Sequence, residues 1–189
     1  MNANTEIKLI AEIFTSTDTR KLESYKTRHA SRGILFNAEG KIAVMNVRNM
    51  GYHKLPGGGV EFGEDVKETL RRELLEEVGA SISDDNKDIV EIGKTIEYRN
   101  NWGFSQISHV YKCDVVGEIG APKLDEGEAV AGFVTEWHDI VTAIKLIKTP
   151  NFIGNTVADI HSDAEAKYAM YFMTTRDAKI LEFYKENFM

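Results

Sequence analysis

The sequence predicts one layered α/β domain. Short runs of branched, strand-forming residues alternate along the chain with segments of helical period, which is the order expected where helices cover a sheet. The chain has 189 residues, enough to bury one sizeable core, and its 42% hydrophobic and 28% charged residues are ordinary for a globular protein. We expect the main domain at residues 30–148, between an N-terminal extension (1–29) and a C-terminal helical segment (149–189).

The N-terminal part of the chain contains predicted strands. Residues 1–29 carry short apolar groups that suit an edge strand or a short helix. The runs 33–36 and 42–47 are rich in branched residues and flank residues 37–40 (NAEG), so they predict a hairpin. A further strand is expected before Pro56.

Residues 65–79 have the period of an amphipathic helix. An apolar residue recurs every four positions, which places one stripe along a single helix face: Val66, Leu70, Leu74 and Val78. We expect that face to pack on the sheet.

The second half of the chain again alternates between the two kinds of element. Strands are predicted at 89–98, 104–116 and 132–137, and a helix is predicted near 138–148. This mixture supports the layered α/β class.

The C-terminal segment is predicted to be helical. Residues 162–165 (SDAE) match the S-x-x-E capping box, so a helix is expected to begin at Ser162. Residues 174–177 (TTRD) are expected to break this helix and to cap a second one.

Charge and cysteine content exclude several functional classes. The formal net charge of −7 argues against binding of long nucleic acid, because no basic stripe dominates the sequence. Cys113 is the only cysteine, which excludes an internal disulfide and a zinc site of several cysteines.

No apolar stretch approaches the roughly 20 residues that span a bilayer, and no signal peptide is evident. We expect a cytoplasmic protein that does not bind membranes.

Three glutamates on the predicted helix indicate a site for a divalent cation. Glu73, Glu76 and Glu77 are spaced i, i+3 and i+4, so they lie on one side of a helix beside its apolar face. Like charges placed in this way repel one another and require compensation. Mg²⁺ provides it, since this hard cation prefers carboxylate oxygen and also binds substrate phosphates.

The wider pattern is far more specific than these glutamates alone. Five residues separate Gly58 from Glu64, seven more precede Arg72, and the chain continues as RELLEEVGA to residue 80. At average residue usage, a chance match of all these fixed positions is rarer than about one in a million. The stretch resembles the Nudix box, G-x5-E-x7-R-E-U-x-E-E-x-G-U with U aliphatic, and departs from it only in the small Ala80.

The resemblance identifies the chain as a member of the Nudix hydrolase family (MutT-like). It implies a mixed β-sheet sandwiched between α-helices and hydrolysis of a phosphoanhydride bond in a nucleoside diphosphate linked to another group. Mg²⁺ is the expected cofactor and Mn²⁺ an alternative, and the substrate is a small nucleotide. The likeness extends over most of residues 30–148.

The family pattern also implies roles for particular residues. The metal ligands would be the backbone carbonyl of Gly57 and the carboxylates of Glu73, Glu77 and Glu76. A general base must lie near the metal-bound water, and either Glu73 or a carboxylate from the later acidic loop can serve. In that loop, residues 124–128 (LDEGE), Glu128 is the candidate, with a plain acidic surface loop as the alternative.

Four further box residues are expected to be architectural. Gly58 belongs to the glycine turn, residues 57–59 (GGG), whose backbone can approach a metal or phosphate closely. Arg72 should hold Glu64, which would tie the loop to the helix, and can also meet Glu76 one turn on. Gly79 should end the helix in a left-handed conformation.

The residues that recognise the substrate lie outside the box. Aromatic and imidazole side chains that could stack on a base or sugar are also common in core packing: Tyr52, His53, Tyr98, Trp102 and Phe104. Family members that act on ADP-ribose usually carry a proline about fifteen residues past the box, where this chain has Thr95. Members that act on dinucleoside polyphosphates often have a tyrosine slightly further on, near Tyr98. The resemblance therefore favours a modified nucleoside triphosphate or a dinucleoside polyphosphate over ADP-ribose.

Two rival functions agree less well with the sequence than hydrolysis does. A catalytically inactive Nudix-fold module that senses nucleotides commonly lacks box glutamates, whereas this chain retains all of them. Isoprenoid diphosphate isomerases of the same fold need a catalytic cysteine, and Cys113 lies within a predicted strand. The flanking segments could also form a homodimer interface.

Overall fold

Helices pack on both faces of a mixed β-sheet in the computed structural model, which describes residues 7–15, 17–153 and 163–189. The predicted α/β class is therefore confirmed. Among the described residues, no helix combines the length and the hydrophobicity needed to cross a bilayer.

The predicted elements follow in the expected order, and two short elements at residues 81–82 and 126–131 were not predicted. The strands of the described chain are β1 (Leu9–Ile13), β2 (Lys26–Phe36), β3 (Ile42–Val47), β4 (Tyr52–Lys54), β5 (Ser81–Ile82), β6 (Val90–Arg99), β7 (Phe104–Val116) and β8 (Phe133–His138). The helices are α1 (Val66–Glu73), α2 (Glu126–Ala131), α3 (Ile140–Lys148) and α4 (Asp163–Phe188). A π-helical turn, Leu74–Val78, continues α1.

The sheet has two parts that meet at the β2–β3 hairpin. In the first part, β1 is parallel to β6 and β6 is antiparallel to β7. The whole of β2 is parallel to β7. In the second part, β3 lies between the antiparallel strands β4 and β8. The register of β2 with β3 joins only Phe36 and Ile42, so the two parts diverge directly after the hairpin.

Successive residues of β2 point to opposite faces and build two cores. Ile34 belongs to the core beneath α3 and α4, whereas Leu35 belongs to the core beneath α1. Leu70 and Leu74 pack into this second core, as the helical period predicted. The sheet is thereby sandwiched between α1 on one face and α3 with α4 on the other.

The glycine turn lies along the edge of β2 that β3 leaves unpaired. The backbone N–H of Ser31 donates to the carbonyl oxygen of Gly58 at 2.9 Å, and that of Gly33 donates to Pro56 at 3.1 Å. A third bond runs from the N–H of Val60 to the carbonyl oxygen of His29 at 3.0 Å. These bonds fix the turn against the sheet as an additional short strand would be fixed.

The extension contributes to the sheet at two places. The alternative of an edge strand in residues 1–29 is realised by β1, which pairs with β6. The strand β2 already begins at Lys26, four residues before the predicted start of the main domain at residue 30.

The predicted break of the C-terminal helix at residues 174–177 is wrong, because α4 is continuous. The hydroxyl of Thr174 donates to the carbonyl oxygen of Met170 at 3.0 Å, one turn earlier in the same helix, and therefore does not cap a new one. Arg176 and Asp177 are fully buried and pair with each other rather than capping a new helix. The predicted capping residue Ser162 lies outside the described residues.

Candidate active site

The segment that carries the box glutamates is fixed at both ends. Asp65 caps α1: its side chain accepts from the backbone N–H of Glu68, and the carboxylate of Glu68 accepts from the N–H of Asp65 in return. Gly79, with φ of 75°, ends the π-helical turn in a left-handed conformation. The sequence predicted one regular helix here, whereas residues 74–78 follow the wider π pattern, which is frequent at functional sites.

Three carboxylates converge beside the glycine turn. One oxygen each from Glu73, Glu77 and Glu128 lies within 4.8 Å of the others. Glu77 is 2% exposed, Glu73 is buried and Glu128 is half-buried. Burying like charges together is unfavourable unless a cation neutralises them. Because all the donors are hard oxygens, the group fits a hard divalent cation.

The electrostatics of this acidic cluster (Glu73, Glu77 and Glu128) show the same need for positive charge. Burial raises the pKa of Glu73, and the charge of Glu77 raises it further. Burial also raises the pKa of Glu128, again with a contribution from Glu77. A bound cation favours the charged forms, so protons and metal compete for these groups and metal binding weakens as the pH falls.

The third carboxylate reaches the cluster through a capping box. Asp125 caps α2, with its Oδ1 accepting from the backbone N–H of Glu128 at 2.7 Å. Oε2 of Glu128 accepts from the N–H of Asp125 at 3.0 Å. These reciprocal bonds fix the side chain of Glu128, which lies in the first turn of α2, where the sequence predicted an acidic loop, about fifty residues after the box.

The glycine turn is in direct contact with the cluster. The backbone N–H of Gly57 donates to Oε2 of Glu77 at 2.7 Å. Gly57 has φ of 127°, and a β-carbon there would overlap the carbonyl oxygen of Ser31. Only glycine therefore allows the turn to approach both β2 and Glu77.

Arg72 connects the box loop to the helix. Its Nε donates to Oε1 of Glu64 at 2.7 Å, and its Nη1 donates to Glu73 at 2.9 Å and to Glu76 at 3.0 Å. The guanidinium lowers the pKa of Glu64 to about 2. The structure thus places Glu76, a predicted metal ligand, against Arg72 and outside the cluster of Glu73, Glu77 and Glu128.

Two of the predicted substrate-binding residues lie on β4. Tyr52 is buried in the core, and its hydroxyl donates to Sδ of Met173 at 3.9 Å. Nε2 of His53 lies 3.5 Å from Oε2 of Glu136 on β8. Tyr52 cannot stack on a base while it remains buried.

Two more of the predicted contacts, Tyr98 and Trp102, lie near the N-terminal strand and α4. Tyr98 stacks on Phe14 with ring centroids 4.7 Å apart. Trp102 makes an edge contact with Tyr168 at 5.0 Å. Both rings therefore pack on other aromatic side chains of the protein.

Sequence reasoning missed two cations at this site. The guanidinium of Arg28 lies against the glycine turn, where a β-carbon on Gly59 would overlap it. Lys54 donates to Oε1 of Glu77 at 2.6 Å. Nothing in the sequence marks Arg28, because its position depends on the pairing of β2 with the turn.

Buried charged residues of α4 bind the backbone just before the glycine turn. Oδ2 of Asp177 accepts from the backbone N–H of Leu55 at 2.8 Å. Arg176 donates to Oδ1 of Asp177 at 2.6 Å and to Oε1 of Glu97 at 2.9 Å. Because Leu55 lies two residues before Gly57, this network anchors the start of the glycine turn.

We expect Gly58→Ala to lower turnover by about 10²-fold, since a displacement of about 1 Å at a reacting group can have this effect. A β-carbon on Gly58 would overlap the carboxylate of Glu73 and move it. The check is the rate under saturating substrate and Mg²⁺.

The matched control is Gly120→Ala, whose β-carbon would lie 3.6 Å from the carbonyl oxygen of Gly79, an ordinary contact. This variant should keep the wild-type rate. Equal rates for the two variants would show that a β-carbon on Gly58 does not displace the carboxylate of Glu73 enough to affect turnover.

Several solved structures are similar to this chain. A NUDIX hydrolase from Nitrosomonas europaea has 20% identity and a TM-score of 0.53, covering 68% of this chain and 82% of its own. A MutT from a study of Aliivibrio salmonicida and Vibrio cholerae has 19% identity and a TM-score of 0.42, covering 80% of this chain and 99% of its own. A MutT NUDIX hydrolase from Burkholderia pseudomallei has 17% identity and a TM-score of 0.48, covering 61% and 85%. The first of these supports the fold.

Sequence comparison gives the family. No curated protein matches the chain. The family model described as NUDIX domain matches residues 26–159, which include β2, the glycine turn, α1 and the helix α2 that carries Glu128. The chain therefore belongs to the NUDIX family, as the resemblance of its box predicted.

Proposed function

We propose that this protein is a metal-dependent hydrolase that cuts a phosphoanhydride bond in nucleoside diphosphate derivatives. The observation that carries the proposal is the convergence of Glu73, Glu77 and Glu128 within 4.8 Å beside the glycine turn. Membership of the NUDIX family supports the same class of reaction.

The acidic cluster has the donors that a divalent cation requires. Glu73, Glu77, Glu128 and the carbonyl oxygen of Gly57 would hold Mg²⁺ or Mn²⁺. When bound, the metal would neutralise the diphosphate and activate water as the nucleophile. Glu73 and Glu128 are both candidates to accept the proton of that water, because the carboxylate of each lies in the cluster that would hold the metal.

The surroundings of the cluster support a phosphate-bearing substrate. Arg28 lies against Gly59, which places a guanidinium beside the turn. Guanidinium groups bind phosphate oxygens with two parallel hydrogen bonds. We therefore assign the diphosphate to the space between Arg28 and the carboxylates, and we favour a modified nucleoside triphosphate or a dinucleoside polyphosphate as substrate.

The test is a panel of nucleotides incubated with the protein and Mg²⁺ or Mn²⁺. The panel contains modified deoxynucleoside triphosphates, dinucleoside polyphosphates, ADP-ribose, NADH and nucleotide sugars, and product analysis locates the broken bond. We expect metal-dependent cleavage of at least one compound and none by the Glu77→Gln control. Tight nucleotide binding with no cleavage of any compound would instead favour the nucleotide-sensing module.

A further inference from the structure

The side chain of Lys54 lies inside the acidic cluster. Lys54 is the last residue of β4 and is 7% exposed. Its ammonium donates to Oε1 of Glu77 at 2.6 Å and to the carbonyl oxygen of Gly57 at 3.5 Å, and it lies 4.9 Å from the centre of the Phe133 ring. Lysine is almost never this buried unless its charge is paired. The contact with Glu77 therefore stabilises the buried ammonium.

The charge of Lys54 also acts on the other carboxylates of the cluster. Burial raises the pKa of Glu73 and of Glu128, and the positive charge of Lys54 opposes both effects. Lys54 is thus a counter-charge for Glu73, Glu77 and Glu128 together. It offsets part of the cost of burying them side by side.

This inference rests on the metal site proposed above. Lys54 contacts the same groups that we assign to the metal, the carboxylate of Glu77 and the carbonyl of Gly57. Mg²⁺ binds oxygen at about 2.0–2.1 Å, closer than either contact of the ammonium. Two cations so near to each other repel strongly in a buried site. A divalent ion bound to these two oxygens therefore disfavours the ammonium at its present position.

We propose that Lys54 is an internal competitor for the metal. Its ammonium holds Glu77 in the metal-free protein and leaves Glu77 when a divalent cation binds to Glu77 and Gly57. The flexible four-carbon side chain allows the ammonium to move while the backbone of β4 stays in place. Because binding requires the ion pair to break, Lys54 lowers the affinity of the site for divalent ions. The residue thereby sets the metal concentration at which the protein is active.

The first test is a calorimetric titration of the full chain with Mn²⁺ in the absence of nucleotide. Lys54→Met removes the ammonium and keeps most of the side-chain volume, and we expect its Kd for Mn²⁺ to fall by about tenfold or more. Arg28→Met is the matched control, because it removes a positive charge at the same turn. Its charge is exposed and screened, so its Kd should change by less than about threefold.

The titration separates this proposal from the metal site on which it rests. A Kd for Lys54→Met that is unchanged, higher, or lowered no more than in Arg28→Met overturns the competition. Binding of Mn²⁺ by the wild-type chain that is lost in Glu77→Gln supports the metal site, whatever Lys54 does. Lys54→Gln is the second variant if the methionine variant does not fold, and the same fall in Kd is expected for it.

The second test follows the ammonium itself by NMR of ¹⁵N-labelled lysine side chains. Loss of a signal in Lys54→Gln assigns the Nζ of Lys54. In the wild-type chain, Mg²⁺ should shift this signal or remove it over the same concentration range in which the metal binds. A signal that is unchanged at saturating Mg²⁺ would show that Lys54 stays on Glu77, and would overturn the proposal.

Discussion

Glu73→Gln and Glu77→Gln should each lower turnover by about 10²- to 10⁴-fold, the range for loss of a group that handles a proton or holds the metal. Glutamine keeps the size of the side chain but removes the charge that binds a cation. Both side chains are buried in the acidic cluster, so water cannot replace the lost ligand easily. The measurements are the rate under saturating substrate and Mg²⁺ and the circular dichroism spectrum, which should be unchanged.

Glu76→Gln is the matched control for these two variants. Its carboxylate lies on the same helical segment but accepts from Arg72 at 3.0 Å and is outside the cluster. We expect its rate to stay within about tenfold of the wild type, since it loses only one partly exposed ion pair. A loss in Glu76→Gln as large as in Glu73→Gln would show that Glu76 also binds the metal. Wild-type rates in Glu73→Gln and Glu77→Gln would show that neither residue has a role in catalysis or metal binding.

Local periodicity explains why most of the fold was predictable. The stripe that contains Leu70 and Leu74 fixed which face of α1 is buried, and branched runs marked β2, β3, β6 and β7. The continuity of α4 was not predictable in this way. Thr174, Arg176 and Asp177 resemble a helix break in isolation, because polar side chains of this kind often cap helices. Arg176 and Asp177 are stabilised inside the helix by tertiary partners, Glu97 on β6 and the backbone N–H of Leu55.

The candidate site was predictable to the extent that it depends on spacing along one helix. The four-residue separation of Glu73 and Glu77 places both on one side of a helix, and the family pattern pointed to Glu128. Lys54 could not be recognised, because β4 has only three residues, too few to show which positions are buried. A lysine in such a segment is normally assumed to be exposed. Its burial follows from the approach of the glycine turn to Glu77.

Arg176→Met should lower the free energy of unfolding by about 3–5 kcal/mol, the usual cost of breaking a buried ion pair by removing one partner. Arg176 is fully buried and holds Asp177 and Glu97, so the variant leaves two buried carboxylates without this partner. For a chain of this length, the expected fall in Tm is about 10 °C. Lys148→Met is the control, because its ion pair with Glu182 is exposed and contributes under about 1 kcal/mol.

The pH dependence of this loss distinguishes broken electrostatics from lost packing. Burial is the largest single influence on Glu97 and raises its pKa, but Arg176, Arg99 and Arg32 together outweigh it, so in the wild type the pKa is below its usual range. The stabilisation from this group is therefore present above the unfolded pKa and is lost as the pH falls through the folded pKa. Without Arg176, Glu97 loses one of the arginines that offset its burial, so its charged form is less favourable and its folded pKa rises. Urea unfolding should show a smaller difference between Arg176→Met and wild type at about pH 4.5 than at about pH 7, and a difference independent of pH would indicate lost packing alone.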